Sequence, residues 1–235
     1  MDGKFKSTLH RYDALTVDNY FAVEEVKQYN KNTLAVDGIT PFGKNQKSVS
    51  DECTLIWIGS ESTAMYVKPY IGILEKLLEK FKNFKIILLG VNRSHIEINS
   101  NKVEYIHNYN SDDIVKFCEL SDLGFYPVFD NQLGLHRGAH KLNIYFNCLI
   151  PALAFSNEIT LQSINGKNGF LFQNIFELEK NLEMFISQDR VRADLKQFVL
   201  ENYKGDQKNL ESTKKMLSFF NEIMEINTLS SNGNN

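Results

Sequence analysis

CTLIWIGSESTAMYVKPYIGILEKLLEKFKNFKIILLG, residues 53–90, carries the reading of the fold. Its first residues, Cys53–Ile58, form an apolar run that stops at Gly59-Ser60. A run of that length between turn residues suits a strand covered on both faces. Over 66–81 apolar residues recur at three- and four-residue spacing, which predicts an amphipathic helix. Residues 85–89 (KIILL) give a second apolar strand, closed by Gly90. An apolar strand, a helix and another apolar strand make a unit of parallel sheet, because parallel neighbours need a long crossover between them.

The alternation continues outward from this stretch. Val103–Ile106 reads as a strand, and 111–120 as a helix opened by Ser111-Asp112-Asp113, whose side chains suit the first N–H groups of a helix. Leu123–Tyr126 reads as a strand stopped by Pro127, 141–148 as a helix and 150–155 as a strand. After a turn-rich stretch come a short strand at Gly169–Phe172 and helices over 176–187 and 191–202. Upstream, 14–17, 20–29 and 33–36 give a small βαβ fragment, and 38–46, with Gly38, Pro41 and Gly43, reads as a hinge. A last amphipathic helix is expected over 208–226, and the polar stretch 227–235 is expected to be disordered. The expected organisation is a βαβ fragment plus hinge over 1–46, an α/β domain over 47–203, and a C-terminal helix and tail over 204–235. The fold class is α/β, a doubly wound parallel sheet with helices on both faces.

Composition narrows the function. With 235 residues, 43% hydrophobic and 23% charged, the chain is neither disordered, collagen-like nor a disulfide-stapled mini-protein. Twenty-six basic against 29 acidic side chains, a net charge of −3, supply no global field for nucleic acid. Cys53, Cys118 and Cys148 are odd in number and lie in apolar or helical surroundings, which points to buried free thiols in a reducing compartment. With no apolar leader and no run approaching about 20 apolar residues, a cytoplasmic protein is expected, at most peripheral to a membrane. Asn92-Arg93-Ser94 fits a glycosylation sequon, which carries no meaning without secretion.

Ligands of open parallel sheets bind at the carboxyl ends of the strands. The residues to weigh are therefore Gly59-Ser60, Gly90-Val91-Asn92-Arg93, His107-Asn108-Tyr109 and 127–141. Gly59-Ser60, followed by Glu61-Ser62-Thr63, makes a small-residue turn whose backbone N–H groups would suit phosphate oxygens. A plain tight turn reads from the same residues. FDNQLGLHRGAHK (129–141) is a polar, glycine-containing loop that places His136, Arg137, His140 and Lys141 at a helix N-terminus. The helix dipole disfavours cations there unless an anion is bound, which argues for a phosphate ligand; the alternative is side chains directed into water. His136 and His140 are spaced to share a helix face, but no third ligand is evident, so no metal site is expected. The glycine fingerprints of dinucleotide oxidoreductases and P-loop NTPases and the nucleophile elbow of α/β hydrolases are all missing from the sequence.

WIGSESTAMYVKPYIGILEKLLEKF (57–81), KIILLG (85–90), the 103–126 stretch running into SDLGFYP, HRGAHKLNIYFNCLIPALAFS (136–156) and NGKNGFLF (165–172) together resemble a known pattern. In order and spacing they are similar to the C-terminal, nucleotide-sugar-binding domain of GT-B retaining glycosyltransferases of the group 1 kind, over about 52–203. The earlier βαβ fragment looks like the last unit of that family's N-terminal domain. The resemblance implies that Gly59 and Ser60 approach the donor diphosphate. It places Arg137, Gly138 and Lys141 at the diphosphate and sugar, and Gly90, Asn108 and Tyr109 in the loops that line the nucleotide. It also implies a reaction without metal or cofactor, the charge of the departing nucleoside diphosphate being met by fixed cations and a helix N-terminus.

The sequence departs from the pattern in two places. Many relatives carry two glutamates with seven residues between them; here His136 and Ile144 stand there, and isoleucine accepts no hydrogen bond from ribose. The acceptor-binding N-terminal domain is almost wholly absent. The function implied is a donor domain that transfers a sugar from a nucleotide sugar to a glycan or lipid-linked acceptor with retention, together with a separate N-terminal domain. The alternatives are a non-catalytic nucleotide-sugar-binding accessory subunit or degenerate truncated glycosyltransferase, and an unrelated Rossmann-like domain with merely polar loops.

Overall fold

The protein's structure, a computed structural model, describes residues 3–44, 52–129 and 138–232. The end of the expected hinge, His136 and Arg137 lie outside the described residues. The chain divides into two compact units. The first holds the N-terminal segment through Ile39, the short stretch Gly138 to His140, and the C-terminal helix from Asp206. The second holds Thr40 through Phe129 and Lys141 through Gly205.

In the first unit, helix α1 (Gly3–Leu9) precedes strand β1 (Leu15–Val17), helix α2 (Tyr20–Lys27) and strand β2 (Thr33–Ala35). The two strands are parallel, with Leu15 opposite Thr33 and Val17 opposite Ala35, the expected βαβ fragment. Asn19 caps α2, its side-chain oxygen accepting the Ala22 N–H at 2.8 Å. Buried Asn30 donates to the carbonyls of Leu9 and Tyr12 at 3.0 and 2.7 Å and accepts the Asn32 N–H at 3.0 Å. One amide thus ties the end of α1, a helix the sequence reading does not anticipate, to the turn before β2.

The second unit is built on strand β3 (Cys53–Ile58), helix α3 (Ile71–Lys80), strands β4 (Phe84–Leu89) and β5 (Val103–Ile106), helix α4 (Ser111–Glu119) and strand β6 (Leu123–Tyr126). It continues with helix α5 (His140–Asn147), strand β7 (Ala152–Phe155), helix α6 (Glu158–Ser163), strand β8 (Gly169–Phe172) and helices α7 (Ile175–Ser187) and α8 (Asp189–Asn202). The strands form one parallel sheet in the order β5-β4-β3-β6-β7-β8. The chain winds outward from β3 to β5, then returns to the middle and winds the other way from β6 to β8. The switch point of this doubly wound sheet lies between β3 and β6.

Every residue of β3 is buried, Thr54 with its apolar neighbours, as a strand covered on both faces requires. Leu55 and Trp57 join Tyr70, Leu77, Phe125, Phe172, Leu178 and Phe185 in the core on one face, while Ile56 and Ile58 alternate to the other. Across the surface, Lys76 and Lys80 of α3 pair with Glu179 and Glu183 of α7, each at 2.5 Å; such exposed pairs contribute little stability.

The expected helix over 66–81 is corrected. Two 3-10 turns, Glu61–Tyr66 and Lys68–Tyr70, precede α3, because Pro69 has no N–H and disfavours the α conformation at Lys68. Helix α6 occupies part of the stretch read as turns. Asn157 caps it, accepting the N–H groups of Ile159 and Thr160 at 3.1 and 2.9 Å. The final helix α9 (Gly205–Asn232) belongs mostly to the first unit, where Lys215 donates to the Ala35 carbonyl at 2.8 Å and Lys208 pairs with Asp37 at 3.5 Å. It runs beyond the expected end at 226, so residues 227–232 are helical rather than disordered.

Candidate functional site

Gly59, Gly90 and Tyr109 follow β3, β4 and β5, and the structure brings them together at the carboxyl edge of the sheet. The Gly59 N–H donates to the Leu89 carbonyl at 2.9 Å and the Gly90 N–H to the Ile106 carbonyl at 2.7 Å, extending the ladder by one rung on each side. Gly90 has φ +98°, and a Cβ there would lie 2.1 Å from the Gly59 carbonyl oxygen and 2.9 Å from the Tyr109 ring. Both the backbone conformation and the close approach require glycine. The Tyr109 hydroxyl donates to that same Gly59 carbonyl at 3.2 Å. Burial pushes the Tyr109 phenol above its usual range, which keeps it protonated as a donor. At Gly59 itself a Cβ would come within 2.1 Å of the Trp57 indole.

At Gly59 and Ser60 the backbone donors of the turn after β3 are already taken. The Gly59 N–H is taken by Leu89, and the Ser60 N–H donates to Thr63 Oγ1 at 2.8 Å. Thr63 Oγ1 in turn donates to the Ser60 carbonyl at 3.0 Å, so the turn is closed on itself at Ser60. Asn108 is exposed beside Tyr109.

At the switch point, β3 and β6 pair directly at Leu55–Leu123 and Ile56–Gly124. Beyond that a side chain takes over. The Tyr145 hydroxyl of α5 accepts the Ile58 N–H at 3.1 Å and donates to the Phe125 carbonyl at 3.0 Å, inserted where a direct ladder bond would otherwise run. The Tyr145 ring lies against Gly124, where a Cβ would fall 2.3 Å from it. Burial holds this phenol well above its usual range, the Ile58 N–H opposing the shift. Lys141 stands one helical turn before Tyr145 on the same face of α5, and Tyr145 reaches the residue immediately before Gly59.

Gly138 belongs to the first unit, where a Cβ would lie 2.7 Å from Asp18. Ile144 is buried at 1% exposure. All three cysteines are buried thiols outside any disulfide, as the sequence suggests. The Cys118 thiol is pushed well above its usual range, first by its hydrogen bond with Cys148 and then by burial, which leaves it unreactive.

A cluster that sequence reasoning missed lies on the same three loops. His95 Nε2 and His107 Nε2 stand 3.1 and 3.2 Å from one oxygen of Glu61. The rings of the two histidines are 5.7 Å apart and tilted by 31°. The available signal was position alone, since each residue lies in the segment that leaves the carboxyl end of a strand.

No protein-family model and no curated protein sequence matches the chain. Solved structures do. A mutant of TarM from S. aureus, in complex with fondaparinux, alpha-GlcNAc-glycerol and UDP, aligns over 93% of this chain and 46% of its own at 15% identity and a TM-score of 0.67. HepE from Anabaena, in complex with UDP and glucose, aligns over 91% and 67% at 12% identity and 0.60. The C-terminal domain of LpcC, a group 1 family glycosyl transferase from Francisella tularensis, aligns over 70% of this chain and 95% of its own at 12% identity and 0.54. The chain spans less than half the length of TarM. These likenesses show the fold, which is that of the C-terminal domain of a GT-B group 1 glycosyltransferase, as the sequence blocks suggest. Among the described residues no helix is long and apolar enough to cross a membrane.

Proposed function

We propose that the chain is the donor-binding part of a glycosyltransferase, transferring a sugar from a nucleotide sugar to a glycan or lipid-linked acceptor with retention, with a separate N-terminal domain supplying the acceptor site. The observation that carries this reading is the convergence of Gly59, Gly90 and Tyr109 at the carboxyl ends of β3, β4 and β5, next to the switch point where such sheets bind ligands. Structural neighbours in complex with UDP, and with UDP and glucose, support a nucleotide sugar as the ligand. Lys141, placed on the Tyr145 face of α5, would offset the charge of a diphosphate. No cofactor or metal enters the transfer in this reading.

Buried Ile144, at a position where many relatives bind ribose through a glutamate, favours a second reading, a subunit that binds the nucleotide sugar without turning it over. Calorimetric titration with UDP, GDP and ADP tests both. One nucleotide should bind selectively, and Lys141→Ala should weaken it by about 1.5–3 kcal/mol, the scale of a charge-assisted hydrogen bond. No binding of any of the three to a cooperatively folded chain would overturn the donor reading. Selective binding that survives Lys141→Ala unchanged would remove Lys141 from the site. Turnover by the isolated chain with any acceptor would refute the need for a separate domain.

A further inference from the structure

We propose that Glu61, His95 and His107 form a binding site for a divalent transition-metal ion of the Zn2+ and Co2+ kind. The three side chains are carried by the segments that follow β3, β4 and β5, and one ligand atom from each lies within 4.8 Å of the others. His95 Nε2 and His107 Nε2 approach the same carboxylate oxygen, Glu61 Oε1, at 3.1 and 3.2 Å. A tetrahedral ion with bonds of about 2.0–2.1 Å separates its ligand atoms by roughly 3.3 Å. Two edges of a coordination tetrahedron are therefore already at length, and the third is within 4.8 Å. Two imidazoles and a carboxylate suit zinc and its neighbours, whereas magnesium and calcium take oxygen ligands throughout. The Glu61 and His107 side chains are 59% and 44% exposed and that of His95 is 24% exposed. An ion can enter from solvent, and its fourth position would stay open to water or to an oxygen anion.

The competing description is a carboxylate shared by two imidazole N–H groups. Its distinguishing detail is at His95, whose Nδ1 accepts the Asn92 N–H at 3.3 Å. That bond puts the proton of the neutral ring on Nε2, facing Glu61. Coordination through Nε2 transfers this proton to Nδ1 by way of solvent and gives up the Asn92 bond, which is at the long end of the hydrogen-bonding range. Ion binding at this site therefore has a local signature: the Asn92 amide loses its acceptor.

The test is titration of the full chain with Co2+ alone, in the absence of nucleotide, so its outcome is independent of the donor reading. Visible absorption should show one Co2+ per chain, displaced by Zn2+. Affinity should fall by more than about tenfold in His95→Ala and in His107→Ala, since even loss of an outer partner of a metal ligand costs 10–100-fold. The His136→Ala/His140→Ala double variant should bind Co2+ as the parent does. In an amide spectrum recorded with Zn2+, the Asn92 N–H should exchange faster than in the ion-free chain. Circular dichroism of the ion-free variants His95→Ala and His107→Ala should be unchanged, because both residues lie in loops outside the strands and helices. Absence of stoichiometric binding, binding that survives both single variants, or binding that follows the His136→Ala/His140→Ala change would each overturn the assignment.

Discussion

Replacing Tyr145 by phenylalanine removes one oxygen and leaves the ring against Gly124. The lost hydroxyl now satisfies the Ile58 N–H at 3.1 Å and the Phe125 carbonyl at 3.0 Å, both at positions no more than 2% exposed. Each buried backbone group left without a partner costs about 1–3 kcal/mol, partly offset by no longer burying the phenol oxygen. The expected loss is about 2–4 kcal/mol, a fall in Tm of roughly 5–15 °C for a chain of this size. Urea unfolding followed by circular dichroism would measure it, with Tyr70→Phe as the control. Tyr70 is similarly buried, but its hydroxyl has no hydrogen bond among the described residues, so its change should stay within about 0.5 kcal/mol. A loss below about 0.5 kcal/mol for Tyr145→Phe would refute the reasoning. It would mean that β3 and β6 close up and form the Ile58–Phe125 ladder bond directly, so that the hydroxyl holds nothing apart.

Gly90→Ala forces a side chain into φ +98° and to within 2.1 Å of the Gly59 carbonyl oxygen. We expect about 2 kcal/mol or more of destabilisation, together with loss of nucleotide binding in titration; an unperturbed melt would show that the turn is not built as described. A second expectation concerns alkaline pH. The Tyr145 phenol and the Cys118 thiol both have folded-state pKa values raised well above their ordinary ones, Tyr145 by burial and Cys118 by its bond with Cys148 and burial. Above those ordinary values, 10.0 and 9.0, the unfolded chain loses protons that the folded chain keeps. Stability is therefore complete below about pH 8.5 and falls as pH rises, by about 1.4 kcal/mol per pH unit for each group titrating. Urea midpoints that stay level from pH 8 to 11 would contradict this.

The sheet was legible in the sequence because a strand buried on both faces is apolar almost throughout, and Cys53–Ile58, interrupted only by Thr54, and the apolar run at 86–89 satisfy that. The helix boundaries were less so. Pro69 sits inside an apolar spacing that continues on either side of it, and only its missing N–H separates the 3-10 turns from α3. Helix α6 has six residues, too few for a periodicity to show, although Asn157 and Thr160 carry its capping signal. The end of α9 was misread because a helix already formed propagates into polar sequence at one hydrogen bond per residue, without needing an apolar face of its own. In the site, topology alone gathered Gly59, Gly90 and Tyr109, since the ends of adjacent parallel strands are neighbours. The Glu61–His107 contact, between residues 46 apart in the chain, depends on where two loops aim their side chains, and no spacing rule contains that.

Tyr145 also acts as a gauge for the helix that carries it. Advancing α5 along its axis by a single residue, about 1.5 Å, would take the hydroxyl out of reach of both Ile58 and Phe125. The Lys141 backbone, one turn away on the same rigid rod, is thereby measured from the centre of the sheet and not from the loop that leads into the helix. That loop can change in length or sequence while the height of the lysine above the sheet stays constant. The sequence ahead of the helix and the placement of the charge thus become separable problems, each open to alteration without disturbing the other.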